Sequence, residues 1–342
     1  MDQMLGNYYG IALYIISPLQ AAQDTGLEVN FALSTNISTK STEDFNNAVA
    51  AANASDVVIY MGGIDNTLEE EALDRESLTW PGNQLDLIVE LETMGKPVVV
   101  LQIGGGQVDS STLKNNPNIS ALVWGGYPGQ AGGAAIFDIL TGKRAPAGRL
   151  VSTQYPSDFV DSFNQTIMTC ALTTAIVVLS RPIYVYPFGA GEIYPNFSLA
   201  IGATPTITTW DIINVTSQAH PEYNHIDMVP FLNQTFAIIN TGSVTSDYSA
   251  MLFANTTNAG PGSYPNKWLV GFDRLPIIAP GETKSMTIPV PIGTLASFDD
   301  MGNIVLYPGT YDLALNNERS VVIPVTFTGL AVTLSVWPQD AS

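Results

Sequence analysis

The residues with the most chemical potential lie in one stretch, Gly62-Gly63-Ile64-Asp65-Asn66-Thr67-Leu68-Glu69-Glu70-Glu71-Ala72-Leu73-Asp74-Arg75-Glu76-Ser77. It carries six carboxylates against one cation, Arg75. Carboxyl groups crowded beside a cleft resist simultaneous ionisation, so crowding predicts that at least one keeps its proton near neutral pH. Such an acid can protonate a leaving oxygen, which is the task of a general acid in glycosidic cleavage. Arg75, next to Asp74, is expected to hold the loop through a bidentate pair. A solvated acidic face has the same composition, and the residues alone leave both readings open.

The elements around this stretch decide where it sits. Val57-Val58-Ile59-Tyr60, Pro97 to Ile103 and Ile119 to Trp124 are short apolar runs without polar alternation. Runs of this kind suit strands buried on both faces of a parallel sheet. Each is followed by glycines: Gly62-Gly63, Gly104-Gly105-Gly106 and Gly125-Gly126. Helical patterns lie between and after them, over Thr42 to Ala52 with Ser41 or Thr42 as N-cap, Asn83 to Met94, and Ala131 to Leu140. Val29 to Leu33 is read as a further strand. The alternation predicts an α/β sandwich, a mostly parallel sheet with helices on both faces. Open sheets of this kind bind ligands at the carboxyl ends of their strands. The acidic stretch leaves from that edge, and at about twenty residues it far exceeds the usual 2–6 of such a loop. Trp80, Trp124 and Tyr127 fall close to the same edge and are candidates to stack on a sugar ring.

Other chemistries find less support. No Gly-x-x-x-x-Gly-Lys-Ser/Thr loop is present, and neither glycine cluster has dinucleotide-binding spacing. No Gly-x-Ser-x-Gly elbow accompanies the two histidines, His220 and His225. One cysteine, Cys170, excludes an internal disulfide and a cysteine-rich metal site, and two histidines exclude a three-histidine centre. No cofactor is implied. Twelve Lys and Arg against 31 Asp and Glu give a formal charge of −19, which argues against nucleic-acid or membrane partners. The longest apolar run, Ala171 to Leu179, is about half of the ~20 residues of a membrane-spanning helix.

With 342 residues, 46% of them hydrophobic, the chain is long enough for two cores. Residues 1–160 form the α/β part. Residues 161–230 read as a connector, with little periodicity around Pro187 to Pro230. Residues 231–342 read as an all-β sandwich, because short alternating runs such as Thr235 to Ile239, Tyr248 to Phe253 and Val321 to Phe327 are separated by Gly/Pro turns. Asn-x-Ser/Thr triplets begin at Asn36, Asn53, Asn118, Asn164, Asn196, Asn214, Asn233 and Asn255. Eight possible glycan acceptors point to a secreted glycoprotein, although Met1-Asp2-Gln3-Met4 lacks the basic segment of a secretory leader.

These strings also carry a resemblance. Gly62 to Glu69 with Asp74-Arg75 and Trp80 to Ile88, Gly104 to Ser111, Trp124 to Gln130, and Thr141 to Leu150 resemble fungal β-xylosidases of glycoside hydrolase family 3. Tyr264 to Phe272 and Leu306 to Gly309 resemble that family's C-terminal fibronectin type III-like domain. The resemblance implies a retaining exo-hydrolase that releases xylose from xylo-oligosaccharides during xylan breakdown. It implies a nucleophilic Asp on an N-terminal (β/α)8 barrel, and Asn7-Tyr8-Tyr9-Gly10 looks like sequence following that barrel. The acid/base Glu then comes from the acidic stretch, with Glu69 first and Glu71 second, since both match family glutamates. A chain without the barrel is expected to lack activity alone. The competing expectation is a non-catalytic carbohydrate-binding or partner module. Residues 170–180 depart from the family pattern, which puts substrate contacts from that segment in question.

Overall fold

The computed structural model describes residues 4–162, 184–192, 196–202, 208–217, 220–262 and 264–338. Cys170, Asn164 and the divergent 170–180 segment lie outside them. The chain divides into two compact units. The first centres on residues up to 144 together with 150–162 and 184–188, and the second runs from 189 onward and takes in 145–149.

The first unit is α/β. In order it contains α1 (Pro18–Asp24), α2 (Phe45–Asn53), β1 (Val58–Gly63), α3 (Gln84–Glu92), β2 (Val98–Ile103), α4 (Ser111–Lys114), β3 (Ile119–Gly126), α5 (Gly132–Leu140) and α6 (Phe159–Ser162). The three strands are parallel in the order β1-β2-β3. Their side chains alternate between two cores, as a period of two requires. Val58, Tyr60, Val98 and Val100 pack with Phe45, Leu87, Ile88 and Leu91 of α2 and α3. Ile59, Met61, Leu101, Ile103 and Val123 pack with Ala21, Ala22, Ile136 and Phe137 of α1 and α5. Helices therefore cover both faces of the sheet.

Two local expectations are corrected. Val29 to Leu33 is not a strand; Val29 and Ala32 touch the two cores, but Phe31 and Leu33 are exposed. Helix α2 starts later than its Ser41 or Thr42 cap predicts, with Asp44 at the cap position. Ser41 Oγ instead accepts the Glu43 amide, a local bond that competes with capping.

Segment 150–162 returns to the α/β unit through polar stitches. Gln107 Oε1 accepts the Tyr155 amide at 2.5 Å, and Asp109 Oδ2 accepts the Ser157 amide at 2.8 Å. Residues 184–188 dock onto the same place. Gln154 and Tyr186 form a bridge, with Gln154 N–H to Tyr186 O at 2.8 Å and Val185 N–H to Gln154 O at 2.7 Å, while Lys114 donates to the Val185 carbonyl.

Burial pushes the Asp109 carboxyl up, but bonds from the Ser111 hydroxyl and amide and from Ser157 outweigh it and hold the group below the usual carboxylate range. A carboxylate held low in the folded state stabilises the fold above its unfolded pKa, and that contribution disappears as pH falls through the folded value. Asp109→Asn is expected to cost about 1 kcal/mol at pH 7, since the site is partly solvated. The difference from wild type should shrink below about pH 4, as urea unfolding at pH 7, 4 and 3 would reveal.

The second unit is an all-β sandwich. Its strands are β4 (Phe197–Ile201), β5 (Thr209–Asp211), β6 (Pro230–Asn240), β7 (Ser246–Thr256), β8 (Trp268–Ile278), β9 (Thr283–Pro291), β10 (Ser297–Phe298), β11 (Ile304–Leu306), β12 (Gly309–Leu315), β13 (Val321–Thr328) and β14 (Val332–Ser335), with helix α7 (Ile212–Thr216) after β5. One sheet runs β5-β13-β12-β7-β8, a second β4-β6-β9, and a small third β10-β11-β14. Alternate residues Phe236 and Ile238 of β6, Met286, Ile288 and Val290 of β9, Leu252 of β7 and Leu313 of β12 meet in one core. Strands β4 and β5 lie within 161–230, the span read as a connector, and pair with β6 and β13.

Candidate active site

The acidic stretch is fixed at both ends. Gly63, the last residue of β1, has φ +130°, and a Cβ there would stand 2.0 Å from the Ile103 carbonyl oxygen. Only glycine lets β1 and β2 close at this edge. Gln84, the first residue of α3, is buried with its carboxamide fully used. Its Oε1 accepts the Gly63 amide at 2.7 Å and the Tyr60 hydroxyl at 3.1 Å. Its Nε2 donates to the Gly63 carbonyl at 2.8 Å and the Ile37 carbonyl at 3.0 Å. The helix that follows the loop thus holds the strand that precedes it.

Inside the loop, Asp65 is buried and builds a turn rather than offering a reactive carboxylate. Its Oδ1 accepts the Thr67 amide at 3.0 Å and hydroxyl at 2.5 Å, and its carbonyl accepts the amides of Leu68 and Glu69. Asn66 Nδ2 donates to the Gly6 carbonyl at 2.6 Å. This turn presents Glu69, whose Oε2 accepts from Arg75 Nε at 2.6 Å. Arg75 also donates to the Gln107 carbonyl at 2.7 Å and the Ser77 carbonyl at 3.3 Å. The Arg75 side chain is 10% exposed and that of Glu69 33%. Arg75 therefore pairs with Glu69 and not with Asp74, which is exposed.

Gly106, in the turn after β2, completes the seat. A Cβ there would lie 2.3 Å from Glu69 Oε1 and 2.9 Å from Arg75 Nη2. The turns after β1 and β2 thus converge on one carboxylate, whose Oε2 is occupied by Arg75. Tyr127, from the turn after β3, packs its ring over Gly6 and Gly105 and accepts the Gly105 amide at its phenol. Burial first, then the charges of Glu69 and Asp65, push its phenol up. All three Gly-rich turns thus contribute to one neighbourhood.

The other candidates separate. Glu71 is exposed on the turn Glu70–Leu73, which two backbone bonds of 3.1 and 3.0 Å close and in which Ala72 has φ +65°. Glu70, Asp74 and Glu76 are also exposed. The expected crowding of carboxylates is replaced by one seated pair and a solvated rim. Trp80 is a core residue, 5% exposed and edge-to-face with Tyr60 at 6.4 Å, so it is no stacking platform. Trp124 and Tyr127 are half-buried at the carboxyl edge. The role of Gly106 went unread in the sequence, although its place in a glycine triplet after a strand was a usable sign of close approach.

The glycosyl hydrolase family 3 C-terminal domain model matches residues 1–194, more than half of the chain. The chain belongs to glycoside hydrolase family 3. A fibronectin type III-like domain model matches residues 249–318, within the β-sandwich. The probable exo-1,4-β-xylosidase xlnD of Aspergillus clavatus is 54% identical over 345 residues, covering 99% of this chain and 43% of that protein. Exo-1,4-β-xylosidase xlnD of Emericella nidulans is 48% identical, covering 100% of this chain and 43% of that protein. Among solved structures, a family 3 exo-β-xylosidase (XlnD) in complex with a xylobiose aziridine activity-based probe superposes with a TM-score of 0.92 at 47% identity. That match covers 100% of this chain and 45% of the other. The chain thus spans less than half the length of these family 3 relatives.

Proposed function

We propose that this chain carries the acid/base side of an exo-acting, retaining β-xylosidase that releases xylose from xylo-oligosaccharides outside the cell. The observation that carries this reading is the seating of Glu69: a one-third-exposed carboxyl group at the carboxyl edge of a parallel sheet, gripped on one oxygen by Arg75 and backed by Gly106. The similarity to exo-1,4-β-xylosidases over 99% of the chain supports the substrate class. Glu71, on a solvated turn, has no comparable seat.

In this mechanism Arg75 holds Oε2, so Oε1 is the oxygen that carries the transferable proton. That proton passes to the glycosidic oxygen as the bond to the anomeric carbon breaks. Glu69 then takes a proton from water as the glycosyl-enzyme intermediate is hydrolysed. The nucleophilic carboxylate, about 5 Å away in a retaining site, lies on a part of the enzyme outside this chain. The extracellular setting is supported by the eight acceptor triplets.

The test uses the purified chain alone and the chain joined to the N-terminal portion of the A. clavatus relative, with 4-nitrophenyl β-D-xyloside as substrate. The expected result is turnover by the joined protein and none by the chain alone. Turnover by the chain alone that survives Glu69→Gln would overturn the reading.

A further inference from the structure

Asn66 follows the buried Asp65 and precedes Glu69 by three residues, yet its side chain is committed far away in the sequence. Its Nδ2 donates to the Gly6 carbonyl at 2.6 Å, across sixty positions. Its Oδ1 is buried and finds no hydrogen-bond partner among the described residues. The Gly6 oxygen can only accept, so it fixes which end of the carboxamide faces it. A buried acceptor without a partner costs stability. Leucine, of similar volume, would carry no such group. The carboxamide is therefore explained by its Nδ2 donor and not by its fit.

Gly6 is itself pinned. It is buried with φ +74°, and a Cβ there would stand 2.7 Å from Tyr127 Cδ2. Two residues earlier, Met4 is 6% exposed, and its carbonyl accepts the Gly129 amide at 2.9 Å. Tyr127 and Gly129 belong to the turn after β3. Segment 4–6 thus lies along that turn, and Asn66 fastens the turn after β1 to it. The fastening is close to the reacting group. The Asp65 carbonyl, one peptide before Asn66, accepts the amides of Leu68 and Glu69 at 3.0 and 3.1 Å.

We propose that Asn66 is a positioning residue for proton transfer: through Gly6 it ties the Glu69 turn to the turn after β3 and so holds the Glu69 carboxyl group in place for the glycosidic oxygen. The inference rests on the reading of Glu69 as the acid/base. Arg75 and Gly106 locate the carboxyl group against the turn after β2. Asn66 locates the backbone that carries it against the turn after β3. Both restraints matter, because a misplacement of about 1 Å can cost roughly 10²-fold in rate.

The experiment uses the joined protein with Asn66→Leu, Gly6→Ala and the two together. Asn66→Leu exchanges one unpartnered acceptor, Oδ1, for another, the Gly6 carbonyl, so the unfolding temperature should barely move. On xylobiose, whose sugar leaving group needs a proton, kcat/KM is expected to fall about 10–100-fold. On 2,4-dinitrophenyl β-D-xyloside, which departs unprotonated, the fall should stay under about threefold. A purely structural role would slow both substrates alike. Gly6→Ala should reproduce the split from the other end of the bond. The double variant should lose no more than the worse single one, because both changes undo one contact. If Asn66→Leu does not fold, Asn66→Asp, which keeps the shape and removes the donor at neutral pH, carries the same test. Equal losses on the two substrates, no loss on either, or losses that multiply in the double variant overturn the inference. Glu69→Gln, run beside them, separates the two levels. If it shows the split while Asn66→Leu does not, only the role of Asn66 falls. If it shows no split, the acid/base assignment falls and takes the inference with it.

Discussion

Glu69→Gln is expected to lower kcat/KM on a xyloside with a poor leaving group by about 10³-fold in the joined enzyme, because general acid catalysis typically contributes 10²–10⁴-fold. The discriminating feature is the dependence on the leaving group. A dinitrophenyl xyloside departs without protonation, so its kcat/KM should be far less sensitive to the same substitution, while its kcat falls because Glu69 also takes the proton from the water that hydrolyses the intermediate. Glu71→Gln should change either substrate by less than about tenfold, since that side chain is solvated and away from the Arg75–Gly106 seat. Steady-state kinetics on both xylosides would decide. Equal losses of kcat/KM on the two substrates, or a larger loss for Glu71→Gln, would move the acid elsewhere. Gly106→Ala offers an independent check of the seat. Its clash is with the far ends of two long side chains and not with backbone, so the fold should hold while the carboxyl group is displaced and kcat falls.

Gln84→Leu is expected to lower the stability of the α/β unit sharply. The substitution is similar in volume, but it strips partners from the Gly63 amide, the Gly63 carbonyl and the Tyr60 hydroxyl together. Each buried polar group left unsatisfied costs about 1–3 kcal/mol. A total near 4 kcal/mol corresponds to a fall in Tm of roughly 8–16 °C for a unit of this size. Differential scanning calorimetry would measure it. A drop under about 3 °C would mean that these groups find other partners. Because Gln84 clasps the end of β1, partial loosening there should also unseat Glu69.

Much of the α/β core was legible because its signals are local. Unbroken β-branched runs marked β1 to β3, and the glycines after them marked the carboxyl edge. The acidic loop stood out through its length. What escaped the sequence depends on contacts between distant residues. Arg75 sits beside Asp74 in the chain, yet the turn built by Asp65 brings Glu69 to it instead. Trp80 lies within the loop region but is drawn into the core against Tyr60. Strand β5 has three residues and exists only through its parallel pairing with β13, more than a hundred positions away. The Val29 to Leu33 run has strand composition, but half of it faces solvent.

The bridge between Gln154 and Tyr186 has an entropic corollary. Gln154 and Tyr186, thirty-two positions apart in the chain, are held together by backbone bonds of 2.7 and 2.8 Å. Lengthening a chain between fixed ends adds an entropic penalty that grows only logarithmically. Doubling the span between Gln154 and Tyr186 should therefore raise the cost of closing this bridge by only about 0.6 kcal/mol.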